Sequence, residues 1–224
     1  MRLFCYDRID CVPEGVEIAD AAGILPVERI TRYKNGSVAL FANHFRYALQ
    51  RHDPGIWVDT DHYCLKPLDF PDSHLFGRQA NGHIANGVLR LPPDSPVVTS
   101  LLDLFDGRSI PVWAGTKLQR RARVLLEERG RIPWGELRWG LTGPEALTHY
   151  LTIEGLDGLA KPPCVFYPTD FTEAAWIVDP SRSLAEFVGA DTVAVHLWNE
   201  KIKSFKNDPA PAGSFLARVQ AEGA

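Results

Sequence analysis

Two carboxylates one residue apart, Asp59 and Asp61, follow the run Gly55-Ile56-Trp57-Val58. Carboxylates gathered at a strand end offer the hard oxygen donors that Mg²⁺ or Mn²⁺ take, and such ions commonly recruit phosphate oxygens as further ligands. A divalent ion shared with a diphosphate neutralises charge building on a departing nucleoside diphosphate, which is the chemical need of a sugar-nucleotide transferase. Asn43 lies sixteen residues before Asp59, and Arg46 follows it by one helical turn. The planar donors of Arg46 suit sugar hydroxyls or phosphate, a role lysine does not copy. They equally suit an ion pair that holds Asp59, and the two roles are compatible. Asn43 can donate to or accept from a sugar hydroxyl. His196 ends the run Val193-Ala194-Val195, and a neutral imidazole is an acceptable Mn²⁺ ligand, although a lone histidine is often structural. Trp198, Asn199, Lys201 and Lys203 then stand where a mobile flap would close over a diphosphate. Lys203 has the plainer reading of a solvated surface lysine. Asn86 beside Gly87 allows a backbone to approach a sugar closely, or else marks an ordinary turn. His62, Tyr63, Trp134, Trp139 and Trp176 serve core packing as readily as sugar stacking. For Asp59 and Asp61 the bland alternative is that they only solubilise a strand end.

Local patterning supplies elements that would position these groups. Val38, Phe41, Ala42, Phe45, Ala48 and Leu49 recur at three- and four-residue spacing, so an amphipathic helix is predicted over Ser37 to Arg51. Asn43, Arg46 and Gln50 share a stripe beside its apolar face. Asp53-Pro54-Gly55 stops that helix and turns the chain into a buried strand, Ile56-Trp57-Val58. Further strands are predicted at Leu3 to Tyr6, Gly15 to Ile18, His74 to Arg78, Asn86 to Leu91 and Thr192 to Leu197. Helices are predicted at Pro96 to Phe105, Lys117 to Arg129 and Gly143 to Leu151. Such alternation predicts an α/β sandwich with a mixed, mainly parallel sheet.

The chain has 224 residues and 45% apolar content, enough to bury a substantial core as one domain over residues 1–224. A formal charge of -4 gives no basic footprint for nucleic acid. Lys117, Arg120, Arg121 and Arg123 form a local basic cluster, read as a solvated helix face or as a dock for an anionic or lipid-linked acceptor. No stretch approaches the ~18 apolar residues of a membrane span, and the N-terminus lacks the apolar core of a secretory signal. Cys5, Cys11, Cys64 and Cys164 have no paired metal spacing, so buried free thiols in a reducing cytoplasm are expected.

The stretch Ser37-Val-Ala-Leu-Phe-Ala-Asn43-His-Phe-Arg46-Tyr47, followed by Gly-Ile-Trp-Val-Asp-Thr-Asp-His-Tyr-Cys-Leu-Lys66-Pro67-Leu68, resembles the DXD-containing glycosyltransferases. The group it is most similar to comprises mannosyl, α-1,4-galactosyl and capsular-polysaccharide transferases. Four weaker motifs follow in order. Ile84-Ala85-Asn86-Gly87-Val88-Leu89 resembles the segment whose asparagine lines the donor-sugar pocket. Leu141-Thr142-Gly143-Pro144 resembles a loop that opens a helix near the substrate. Cys164-Val-Phe-Tyr-Pro168 resembles a late strand. Val195-His196-Leu197-Trp198-Asn199 resembles the closing motif that contacts metal and diphosphate. Asn43 in place of the usual Asp, Pro54 in place of a turn glycine and Trp57 in place of Tyr depart from the pattern.

The resemblance implies a GT-A-like, Rossmann-type sandwich and Mn²⁺- or Mg²⁺-dependent transfer, with retained anomeric configuration. The donor would be a nucleoside diphosphate sugar and the acceptor a carbohydrate or lipid-linked hydroxyl, as in surface polysaccharide or glycolipid synthesis. It assigns Asp61 to the metal, Asp59 to ribose, donor sugar or water-mediated metal contacts, and Asn43, Arg46, Asn86, Trp198 and Lys203 to the donor. His196 would complete the metal ligands. Relative to that family the chain begins one βα unit late, which leaves a sheet edge exposed and a homo-oligomer expected. Two other classes remain open. A non-catalytic sugar-nucleotide binder is favoured by Asn43 and the short start. A haloacid-dehalogenase-like phosphohydrolase also places Asp-x-Asp after an apolar strand, but His62-Tyr63 follows here where Thr or Val is usual.

Overall fold

A computed structural model describes residues 1–10, 12–53 and 55–223. Cys11 and the Pro54 departure lie outside the described residues. The chain divides into two compact units, Met1–Gly55 with Leu91–Gly155, and Ile56–Arg90 with Leu156–Ala224. Together they are mixed α/β, with seven α-helices and seven strands among the described residues. No helix among the described residues is long and apolar enough to cross a membrane.

In the first unit, β1 (Arg2–Cys5) and β2 (Glu17–Asp20) pair in parallel. The predicted helix appears as α1 (Ala39–His52). Its apolar face buries Leu40, Phe41, Phe45 and Leu49, each worth roughly 1.5–3 kcal/mol of transfer free energy. The polar stripe is not turned to water, since Asn43, His44, Arg46 and Gln50 are buried too. Buried polar groups of this kind need partners. Gln50 finds two: its Oε1 accepts from the Leu91 N–H at 2.7 Å, and its Nε2 donates to the Gly55 carbonyl at 3.3 Å.

Helix α2 (Pro96–Asp103) starts where Ser95 caps Val97 and proline occupies the first turn, an arrangement that costs no helical hydrogen bond. It packs against α1 and α4 (Pro144–Ile153). Helix α3 (Thr116–Arg129) buries only Ala122 and Leu125 and ends at left-handed Gly130. Lys117, Arg120, Arg121 and Arg123 are all exposed, as a solvated face and an acceptor dock would both have them.

The second unit contains β3 (Trp57–Val58), β4 (His62–Cys64), β5 (Leu75–Arg78), β6 (Ile84–Arg90) and β7 (Ala194–His196). It also contains the short helices α5 (Pro163–Phe166) and α6 (Asn199–Ile202), and α7 (Phe215–Glu222). β3, β6 and β5 form one antiparallel sheet in that order, and β4 pairs antiparallel with β7. Leu75, Val88, Phe166, Tyr167 and Ala194 belong to one core cluster of this unit. Trp176, Val195, Phe215 and Leu216 belong to another.

Four expectations need correction. The mainly parallel sheet is replaced, among the described residues, by three small sheets with a single parallel strand pair. The short loop 79–83 between β5 and β6 leaves no room for the crossover that parallel neighbours require. The strand before Asp59 is half-buried, because β3 lies at a sheet edge with only β6 beside it. The segment Cys164 to Pro168 is not a strand, since Pro163 occupies the first turn of α5 and its fixed φ suits a helical start. The thiols are less buried than expected: Cys64 and Cys164 are exposed and Cys5 is partly so, all three free. Cys64 ends its strand and Cys164 sits in a four-residue helix, so neither position is enclosed.

Candidate metal centre

In the second unit the Asp-x-Asp segment is the passage from one sheet to another. Trp57 and Val58 pair with Leu89 and Val88 of β6, and the Asp59 N–H continues the contact by donating to the Gly87 carbonyl at 2.7 Å. The chain then turns, with the His62 N–H donating to the Asp59 carbonyl at 3.1 Å, and enters β4 against β7. Asp59 therefore closes one sheet and Asp61 opens the other. That position separates their chemistry. Asp59 Oδ1 accepts from the Trp57 indole N–H at 2.6 Å. Asp61 Oδ2 accepts from the Asn199 N–H at 2.9 Å, its Oδ1 lies 3.3 Å from His196 Nε2, and its backbone carbonyl accepts from Leu197 at 2.8 Å.

Burial alone would raise the Asp61 pKa. The His196 hydrogen bond and charge, the Asn199 N–H and the nearby His62 outweigh it and hold the carboxyl well below the usual carboxylate range. Asp61 is thus an anion at neutral pH in a largely enclosed site, with its side chain 23% exposed and that of His196 13% exposed.

The β4–β7 register places His62 directly opposite His196, and their ring centroids lie 4.6 Å apart. Tyr167 stands edge-on to His62 at 5.5 Å and close to His196 at 5.7 Å. Its hydroxyl accepts from the Val88 N–H at 3.1 Å, where the β5–β6 register slips between Phe76 and Gly77. Asn86, Gly87 and Val88 fall in that slip, between the residues that pair with β5 in register. Asn86 is consequently buried within a strand and not in a turn. Gly87 is needed for closeness: a Cβ there would stand 2.7 Å from His62 Cε1 and 3.1 Å from Asp59 Oδ2.

Trp198 is the one non-glycine residue with positive φ among the described residues, at φ 54 and ψ 54. A left-handed tryptophan costs about 1–2 kcal/mol, and such strain clusters at functional sites. Its indole N–H donates to the Thr169 carbonyl at 3.2 Å and its ring meets His196 edge-on at 4.2 Å. This conformation lets α6 begin immediately after β7, which brings the Asn199 N–H to Asp61. Asn199 Oδ1 accepts from Lys206 at 2.6 Å, while Lys203 is exposed and paired with Glu200.

Asn43 and Arg46 belong to the first unit, where they form a second polar cluster. Arg46 donates to Asn43 Oδ1 at 3.1 Å, and Asn43 Nδ2 donates to Thr142 Oγ1 at 3.3 Å. The Tyr47 hydroxyl donates to the Thr142 carbonyl at 3.1 Å. Gly143 permits this docking, because a Cβ there would lie 2.9 Å from Asn43 Nδ2. Two sequence motifs almost a hundred residues apart therefore meet, and the second does open a helix, α4.

Asp61, His62 and His196 each offer a ligand atom within 4.8 Å of the others, which makes them able to hold a metal ion. Of the expected metal contacts, Asp61 and His196 are brought together, whereas Asp59 is not part of this group. The sequence marks His62 only as a packing or stacking residue, and its cross-strand pairing with His196 is what brings it into the group. Comparison with protein-family models, curated proteins and solved structures found no match to this chain.

Proposed function

We propose that this chain is a metal-dependent glycosyltransferase with a GT-A-like fold that uses a nucleoside diphosphate sugar. The observation that carries the reading is the meeting of Asp61 with His196, 135 residues apart in sequence, at 3.3 Å in an enclosed site. These are two of the three residues, with Asp59, that the resemblance assigns to the metal. An ion held there would neutralise the negative charge that builds on the leaving diphosphate. One carboxylate and imidazole nitrogens fit Mn²⁺ better than Mg²⁺, which favours an all-oxygen shell.

The chain's own groups would do the rest. The Asn199 N–H fixes one Asp61 oxygen and leaves the other facing His196. Trp198 walls the site, and Asp59, oriented by the Trp57 indole, is the group for a ribose or sugar hydroxyl. Asn43, a buried amide held at both ends by Arg46 and Thr142, has the hydroxyl-recognising role in this proposal only from the resemblance. Transfer with retention to a carbohydrate or lipid-linked acceptor belongs to the same proposal.

Calorimetric titration of UDP and GDP, with and without Mn²⁺, tests it. Asp61→Asn keeps the side-chain size but removes the anionic oxygen pair, so the metal-dependent part of nucleotide affinity should vanish, at least a tenfold loss or about 1.4 kcal/mol. Full metal-dependent binding in that variant, or no sugar turnover by the wild type across a donor panel, would refute the reading.

A further inference from the structure

We propose that His62 is a direct metal ligand, so that Asp61, His62 and His196 form a two-imidazole, one-carboxylate centre that selects Zn²⁺, Co²⁺ or Mn²⁺ over Mg²⁺. The inference shares with the proposed function only the presence of an ion at Asp61, and it does not depend on sugar transfer. Its foundation is backbone register. His62 and His196 are directly opposed in the antiparallel β4–β7 pair, and opposed residues project their side chains from the same face of a sheet. Their proximity thus follows from strand pairing and not from a chosen rotamer.

The three donor atoms lie within 4.8 Å of one another. Ligands bound tetrahedrally at about 2.1 Å stand about 3.4 Å apart, so side-chain shifts of about an ångström suffice to enclose an ion. His196 Nδ1 is buried and has no hydrogen-bond partner among the described residues. Leaving such a nitrogen unsatisfied costs about 1–3 kcal/mol, a penalty a purely structural His196 would carry without return. Asp61 supplies the negative charge that a dication requires, and the Asn199 N–H orients it.

The donor set decides the metal. Imidazole nitrogen suits Zn²⁺, Co²⁺ and Mn²⁺, whereas Mg²⁺ dehydrates reluctantly and keeps oxygen ligands. Three protein ligands also leave a position for water or a phosphate oxygen. Gly87 completes the arrangement: by lacking a Cβ it lets the His62 ring sit against β6.

The test uses the full chain stripped by a chelator and titrated with Co²⁺, read by ligand-field absorption. Zn²⁺ should displace the Co²⁺, and a hundredfold excess of Mg²⁺ should not. His62→Gln should weaken Co²⁺ binding at least tenfold, comparably to His196→Gln, with unchanged far-ultraviolet circular dichroism. X-ray absorption of the Zn²⁺-loaded wild type should show two imidazole rings, a readout that survives any misfolding of the variants. One ring, an unaltered affinity in a folded His62→Gln protein, Mg²⁺ competing as well as Zn²⁺, or no Co²⁺ or Zn²⁺ binding at all would each overturn the proposal. A protein that binds Co²⁺ through His62 yet turns over no sugar nucleotide would sink the transferase reading and leave this one standing.

Discussion

Gly87→Ala isolates the packing that holds the proposed metal centre together. Gly87 has no left-handed φ, so alanine meets no backbone strain there and the whole effect is steric. The new Cβ would stand 2.7 Å from His62 Cε1, 3.1 Å from Asp59 Oδ2 and 3.2 Å from the Tyr167 hydroxyl, against ordinary contacts of 3.4 Å or more. The His62 ring would have to retreat by about 0.7 Å, yet Tyr167 and His196 flank it with centroids at 5.5 and 4.6 Å. Overpacking of this kind costs about 1–3 kcal/mol. For a chain of this length each kcal/mol lowers the melting temperature by about 2–4 °C, so a fall of roughly 2–12 °C is expected. Because the displaced ring belongs to the proposed centre, Co²⁺ affinity should fall as well. Gly158→Ala is the control, since nothing lies within 4 Å of its Cβ position. Thermal melting and Co²⁺ titration of the three proteins decide the matter. If Gly87→Ala melts and binds metal like the wild type, close packing of His62 on β6 is not what the glycine provides.

Two predictions concern the first unit. Asn43→Asp puts a carboxylate beside Arg46 and lets the Thr142 hydroxyl reverse from acceptor to donor, so melting should shift by no more than the equivalent of about 1 kcal/mol while donor-sugar preference changes. A large loss of stability, or an identical donor profile, would count against the respective half of that argument. His44 stacks on Phe105 at 4.1 Å, and burial, helped by the charge of Arg29 and opposed by Asp106, lowers its pKa from 6.5 to about 4. The fold favours neutral imidazole, so stability should be complete above pH 6.5, fall as pH drops toward 4 and level off below it. The full window is worth about 3 kcal/mol, and His44→Phe should remove most of it in urea unfolding at pH 7 and pH 4. An unchanged pH dependence in the variant would show that His44 is not the group responsible.

The helices were the legible part of the fold. Apolar spacing located α1 and α2, and the proline and glycine signals placed their limits to within a few residues. Sheet organisation was not legible, because strands of two to four residues carry too few alternations to identify their neighbours. What decided the pairing was loop length: the loop 79–83 makes β5 and β6 an antiparallel hairpin regardless of strand composition. Cys164 to Pro168 failed for another reason. Its aromatic, β-branched run favours a strand, but the consecutive Pro162 and Pro163 set the backbone before that preference acts.

Asp61 and His196 could be singled out from sequence because each follows an apolar run and has a ligand's chemistry. His62 could not, and the reason lies in the period of a strand. Adjacent residues of a continuous strand point to opposite faces, so a strand running through Asp59, Thr60, Asp61 and His62 would set Asp59 with Asp61 and turn His62 away. The chain does not run through. The turn closed by His62 N–H on the Asp59 carbonyl breaks the alternation and hands Asp61 and His62 to a new partner, β7. Asp59 remains with β6 and the Trp57 indole, while register sets His62 opposite His196. The Asp-x-Asp spacing thus marks a junction between two sheets. The strand that follows the junction carries the third donor of the proposed centre, and the strand that precedes it leads to the acid held by the Trp57 indole, away from that group.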